Sequence, residues 1–176
     1  LSCFQEACVI ARKTGDRRGE GSVLVNLGGL YVYLAEVRKA VDCGNEALQI
    51  TRETGYRQGE ANALGVLGAA YATSAQMEKS IPFFNEFLRV AKAMGDRANE
   101  AKALTNLGVA YSQVGNLVES LKCYDESIRI AQTTDAPHRG ANSLLNSARI
   151  LHEVGCTDEA IGRARKALEI FTAVGS

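Results

Sequence analysis

The chain has 176 residues, 46% of them hydrophobic and only 6% aromatic, with two prolines, a balance that favours helix over sheet. Lys and Arg number 20 and so do Asp and Glu, and the zero net charge gives no support to a nucleic-acid or membrane-surface role. No apolar run approaches the roughly 18 residues that a bilayer span needs, and no signal-peptide pattern opens the chain.

The first residues, LSCFQEACVIARKTG, align in phase with VDCGNEALQITRETG at 41–55. Residues 1–15 therefore read as the second helix of a repeat whose first helix is missing, and the expectation is a piece cut from a longer array. From Asp16 a 40-residue period runs without insertion, giving copies at 16–55, 56–95, 96–135 and a divergent one at 136–175. Leu24, Leu64, Leu104 and Leu144 share one column. Gly28, Gly68 and Gly108 share a second with Ala148, and Tyr31, Tyr71 and Tyr111 a third with Leu151. A strict period of this length signals supersecondary units stacked into a solenoid.

Within the first copy, Val23, Leu24, Leu27, Leu30, Tyr31 and Leu34 follow a three/four spacing, and so do Val37, Ala40, Val41, Ala47, Leu48 and Ile50 after a break at Ala35-Glu36. Equivalent breaks fall at Ala75-Gln76, Gly115-Asn116 and Gly155-Cys156. Gly15, Gly55 and Gly95 stop the second helices, with Asp135 and Gly175 in the later copies, and Asp16 and Asp96 can cap the helices that follow. Each copy thus predicts two helices of about 18 residues, about nine helices in all. Pro82 lies inside a predicted helix, in a column with Asp42, Lys122 and Gly162 that points to solvent. Pro137 opens the first helix of the last copy, where proline is tolerated.

The small residues Gly28, Gly68, Gly108 and Ala148, with Ala40, Ser80, Ser120 and Ala160 from the second helices, are expected to let paired helices approach closely. The tyrosine column is expected to fill the space between copies. Gly44, Phe84, Tyr124 and Ala164 share a column of uneven size, which predicts uneven stacking. Ser147 stands where Leu27, Leu67 and Leu107 do, and a weaker fourth copy is expected from it.

Five cysteines, an odd number, sit mostly in packing columns: Cys3, Cys43 and Cys123 share theirs with Phe83, and Cys8 shares one with Leu48, Leu88 and Ile128. Free thiols in a reducing, cytoplasmic setting are expected, with Cys156 exposed. His138 and His152 lie about 21 Å apart along one helix and cannot share a metal. No Cys-x-x-Cys occurs. Glu20, Glu60 and Glu100 recur with the period, which marks a structural role near the helix starts. No catalytic residue, cofactor or metal is expected.

The runs NLGGLY, VLGAAY and NLGVAY at 26–31, 66–71 and 106–111 resemble the first helix of the tetratricopeptide repeat, and Ala40, Ala47, Ser80, Phe84, Ser120 and Tyr124 match its second. The 40-residue unit is longer than the family's usual 34 and is similar to that of the Pins/LGN adaptors and of large multi-repeat proteins. The resemblance implies an all-α, right-handed α–α superhelix with the first helices on its concave wall. It also implies a protein or peptide partner held in that groove. Groove residues carried over by column are Asn26, Asn62, Lys102, Asn106, Asn142, Asn146 and Arg149, alongside Ser22, Val25, Gly29, Gly65, Ala69, Thr105 and Tyr33. An asparagine amide both donates and accepts and so matches one peptide unit whatever its side chain, while Lys102 and Arg149 would attract acidic residues. Gly29, Gly65 and Ala69 leave room for a bulky partner side chain. The carboxylate clamp of chaperone-binding members is not expected, because Val25 and Gly29 stand where its first repeat carries Lys and Asn. The alternative reading is a structural spacer or a self-association module working through uncapped array ends.

Overall fold

The computed structural model describes residues 2–134 and 137–174, all of them helix or short turn. Asp135, Ala136 and Gly175 lie outside these residues, as does the side chain of His138. The helices are α1 (Ser2–Thr14), α2 (Arg17–Tyr33), α3 (Val37–Glu53), α4 (Arg57–Thr73), α5 (Met77–Met94), α6 (Arg97–Gln113), α7 (Leu117–Ala131), α8 (Pro137–Glu153) and α9 (Thr157–Val174). They form two compact units, residues 1–90 and 91–176, with the division inside α5. In the first, α2 packs on α1, α3 and α4, and α3 packs on α4. In the second, α8 packs on α6, α7 and α9, and α6 packs on α7. The second helices α3 and α7 are thus each held between their own first helix and the next one.

The turns explain why the helices stop where they do. Gly15, Gly55 and Gly95 adopt φ of +70°, +65° and +67°, and Gly115 and Gly155 adopt +79° and +85°. Around each, the next amide reaches back to a carbonyl five residues earlier, as Tyr56 N does to Thr51 O (2.8 Å) and Asn116 N to Tyr111 O (2.9 Å). This is the Schellman ending, which requires one left-handed residue. Ala35 and Ala75 hold the same role at +56° and +58°, where a Cβ costs about 1 kcal/mol. Asp16 and Asp96 then cap the following helices, accepting from Gly19 N (2.8 Å) and Asn99 N (3.0 Å). Pro82 lies inside α5 and is exposed, as its column predicts.

Packing between helices is set by paired sizes. Glycine in the second column faces the second helix of its own repeat, where Ala40 O lies 3.6 Å from the Gly28 Cβ position and Ser120 Oγ donates to Gly108 O at 2.6 Å. It makes room for a ring: a Cβ on Gly68 would overlap Phe84, and one on Gly108 would come within 2.5 Å of Tyr124. In the first repeat the ring is missing because position 44 is glycine, and the next repeat fills the space. A Cβ on Gly28 would meet Val66 at 2.8 Å, and one on Gly44 would meet Leu67 at 2.8 Å. Ser147 occupies, relative to Tyr124, the place that Leu67 occupies relative to Gly44. It is fully buried, and its hydroxyl donates to Leu144 O at 3.0 Å. Tyr71 stacks on Phe83 of its own repeat, with ring centroids 5.4 Å apart, and Tyr31 clusters with Ala70 of the next repeat.

The recurrent glutamates are buried and ion-paired. Glu20 accepts from Arg12 Nε (2.6 Å) on α1 and Arg17 Nη1 (2.6 Å) on α2, and Glu60 from Arg52 Nε (3.0 Å) on α3 and Arg57 Nη1 (2.7 Å) on α4. Each carboxylate therefore ties a helix to the one before it across the turn. Glu100 keeps its pair with Arg97 (2.6 Å), and Lys92 stands in the column of Arg12 and Arg52. Burial alone would raise the Glu20 and Glu60 carboxyls, but the paired guanidinium donors outweigh it and hold both below the ordinary value.

All five cysteines are free thiols; Cys8 is buried and Cys156 exposed. Burial pushes Cys123 up to about 11 and raises Cys8 and Cys43, which keeps these three protonated at neutral pH.

Two outcomes follow. Ala35→Gly and Ala75→Gly should each stabilise the chain by about 0.5 kcal/mol, the relief of the left-handed alanine less the added freedom of the unfolded chain. Gly115→Ala should destabilise it, and urea midpoints at constant slope check both signs. Because the Glu20 and Glu60 carboxyls are depressed, their stabilisation is fully present above the ordinary carboxylate range and is lost as pH falls through the lower folded values. Glu60→Gln should therefore cost about 1–2 kcal/mol at pH 7 and flatten the acid limb of the stability profile; an unchanged limb would contradict this origin.

Candidate functional site

In the first unit, Asn26 on α2 and Asn62 on α4 line one recess of about 170 Å³, together with Ser22, Val25, Tyr56 and Gly59. Its walls are mostly polar and carry no ionised side chain. Asn26 is exposed and Asn62 half-buried. Ser22 donates its hydroxyl to Arg18 O at 3.0 Å, one turn back on α2. The Arg18 guanidinium lies 4.6 Å from the centre of the Tyr56 ring, a cation–π distance.

In the second unit, Lys102 and Asn106 lie one turn apart on α6, and Asn142 and Asn146 one turn apart on α8, which packs against α6. Lys102 and Asn142 are exposed, Asn106 and Asn146 half-buried. Arg149 does not stand open for a partner carboxylate as expected: its Nη1 binds Glu153 Oε1 at 3.0 Å on the same helix. That pair is half-exposed and weak enough for a partner to displace.

Other groove expectations change more. Val66, in the column of Asn26, Asn106 and Asn146, is buried over Gly28 and Gly44 and belongs to the core. Gly65 offers no space for a guest, because the Phe87 ring already lies 3.5 Å from its Cβ position. Thr105 turns inward as well. Its hydroxyl meets Ser127 and Ser143 Oγ at 2.9 Å each, joining α6, α7 and α8 where the first unit packs Phe87 over Gly65. Gly29 has open space at its Cβ position, and Tyr33 is 86% exposed.

The asparagine side chains of Asn26, Asn62, Asn106, Asn142 and Asn146 make no hydrogen bond to any described residue. They neither cap nor bridge helices, unlike Asn99, whose Nδ2 binds Asp96, and Asn116, which caps α7. Sequence reasoning missed Arg18, Tyr56 and Gly59. The one available signal was Tyr at position 56, in a column that carries Asp at 16 and 96. Among the described residues no group of three or more His, Cys, Asp or Glu could hold a metal ion, and no helix is long and apolar enough to cross a membrane.

Among curated proteins, none matches the sequence. Among solved structures, the chain is similar to BtubC (BKLC) from P. vanneervenii, with a TM-score of 0.87 at 19% identity over 99% of this chain and 73% of that one. It is similar to aspartyl phosphate phosphatase F from Bacillus subtilis (0.90, 16% identity, 98% of this chain and 45% of that one). It is also similar to a Rap protein complexed with competence and sporulation factor (0.80, 13% identity, 87% and 43%). The chain spans less than half the length of the last two, and likeness at such identities shows the helical-repeat fold alone. The tetratricopeptide repeat model matches residues 19–93 and 99–173, two stretches that together cover most of the sequence, and the chain belongs to that family.

Proposed function

We propose that the chain is a protein-interaction scaffold that holds an extended segment of a partner protein against the first helices of its repeats. The observation that carries this reading is the set of five asparagine amides, on α2, α4, α6 and α8, left without an internal partner. A peptide unit presents one donor and one acceptor, and an amide side chain answers both. The partner complex named for the similar Rap structure is consistent with this use of the fold. Asn106→Ala with Asn146→Ala should weaken binding of the partner about tenfold or more, at about 1 kcal/mol per lost hydrogen bond. Stability should stay within about 0.5 kcal/mol, because neither amide is tied internally. Calorimetry with the captured partner and urea denaturation measure the two; unchanged affinity removes the groove from the reading.

A second reading, self-association, rests on the outer face of α9. Ile161 (45%), Leu168 (64%) and Phe171 (38%) are exposed there. In α3 and α7 the same columns, Val41, Leu48 and Thr51 or Leu121, Ile128 and Ala131, are half-buried or buried. Light scattering across concentration should then show a dimer that Leu168→Glu abolishes, and a monomer throughout would count against it.

A further inference from the structure

The buried glutamates of the first two turns stand in a fixed set of charged partners. Arg12 and Arg17 hold Glu20, and Arg12 also binds Glu46. Arg52 and Arg57 hold Glu60, and Arg52 also reaches Glu86 at 3.5 Å. At the third turn Arg97 holds Glu100, and Lys92 and Glu126 fill the remaining columns. At the fourth the same four columns read Gln132, Pro137, Gly140 and Lys166. Two positive and two negative charges give way there to a single positive one.

An apolar cavity lies at this fourth corner. Its volume is about 60 Å³, and Ile128, Ala131, Leu144 and Ile170 form its walls. Gln132, Gly140 and Lys166, three of the four exchanged columns, complete the lining. Lys166 is exposed and makes no ion pair or hydrogen bond to a described residue, so its ammonium belongs to the mouth rather than the floor. None of the described lining residues is acidic. A Cβ on Gly140 would come within 2.9 Å of the Ala131 Cβ, so the glutamate of the earlier repeats cannot return without moving α8. Atoms that line an empty apolar space lack contacts on one side. A cavity of ~150 Å³ takes one benzene, so this one fits an alkyl group of about two or three carbons.

We propose that the fourth corner is a binding site for a short-chain aliphatic monocarboxylate, with the alkyl tail in the cavity and the carboxylate on the Lys166 ammonium, where the Gln132 amide offers a further donor. The order of groups selects a free acid over an acidic side chain of a peptide. A glutamate would enter charge first and set its carboxylate against apolar walls, a costly burial. A free acid enters methyl first and leaves its charge at the mouth. The site stands or falls independently of the groove reading.

The test is a side-chain methyl NMR titration of the whole chain at constant ionic strength with butyrate, butyramide, acetate and acetyl-glutamate-amide. Butyrate should shift the Leu144 and Ile170 methyls saturably. It should bind about tenfold tighter than acetate, the worth of two buried methylenes, and about three- to fivefold tighter than butyramide, the size of an exposed ion pair. Lys166→Gln should reduce butyrate to the affinity of butyramide, and Lys166→Glu, which restores the acid of the earlier repeats, should weaken it further. Both changes fall on an exposed side chain and should leave Tm within about 2 °C. Acetyl-glutamate-amide should leave the two methyls in place. Methyls unmoved by butyrate, or equal affinity for butyrate and acetate, overturn the cavity as the seat of the tail. Equal affinity for butyrate and butyramide, or butyrate binding indifferent to Lys166→Gln, overturns the assignment of the charge. A response to acetyl-glutamate-amide matching that to butyrate overturns the choice of a free acid.

Discussion

Among the described residues, the turns at 15, 35, 55, 75, 95, 115 and 155 each pass through one residue of left-handed backbone, and the repeat depends on that constraint. At a Schellman ending the last helical carbonyls are satisfied by the two amides that follow, so the chain leaves the helix in a defined direction within three residues. The next helix begins at once, with its own cap or, at Glu20 and Glu60, with a carboxylate reaching back to an arginine of the helix just finished. The turn and the ion pair act on the same corner. One sets the direction of the new helix and the other fixes its rotation, because a carboxylate can meet a guanidinium on the preceding helix only from one face.

With direction and rotation set, the space between helices is divided by side-chain size. The second-helix position that is Gly44, Phe84 and Tyr124 decides what its neighbours must be. A ring there demands glycine on the facing first helix, as at Gly68 and Gly108. A glycine there admits Val66 and Leu67 from the following repeat. This arrangement draws Val66 out of the surface and into the core. A column that carries asparagine in the other repeats thus serves packing at position 66.

Much of the fold was legible in the sequence because its signals are local. Gly15, Gly55 and Gly95 mark the ends they make, and Asp16 and Asp96 the starts. Ala35 and Ala75 fall at turns that their composition does not announce, and only alignment with Gly115 and Gly155 reveals them. The pairing partners were less legible. Gly65 reads as open space until Phe87 is placed over it, and Thr105 reads as a groove residue until Ser127 and Ser143 come within hydrogen-bond distance. Arg149 looks available until its neighbour one turn on is seen to hold it. In each case the deciding atom lies on another helix or another turn. The period says which columns are equivalent but not which columns touch.

The size pairing between neighbours also gives the repeats an order. Four copies with one period could in principle be shuffled, since their sequences keep one register throughout. Here they cannot be exchanged freely, because the space above Gly28 and Gly44 is shaped for what residues 66 and 67 bring. Excising residues 56–95 would keep the phase of every remaining helix. It would also bring Asn106 to the place of Val66, setting an amide against an apolar wall. Duplication or loss of whole blocks, the cheapest change open to a periodic chain, is therefore restrained by contacts written in pairs, and each repeat carries the identity of the one beside it.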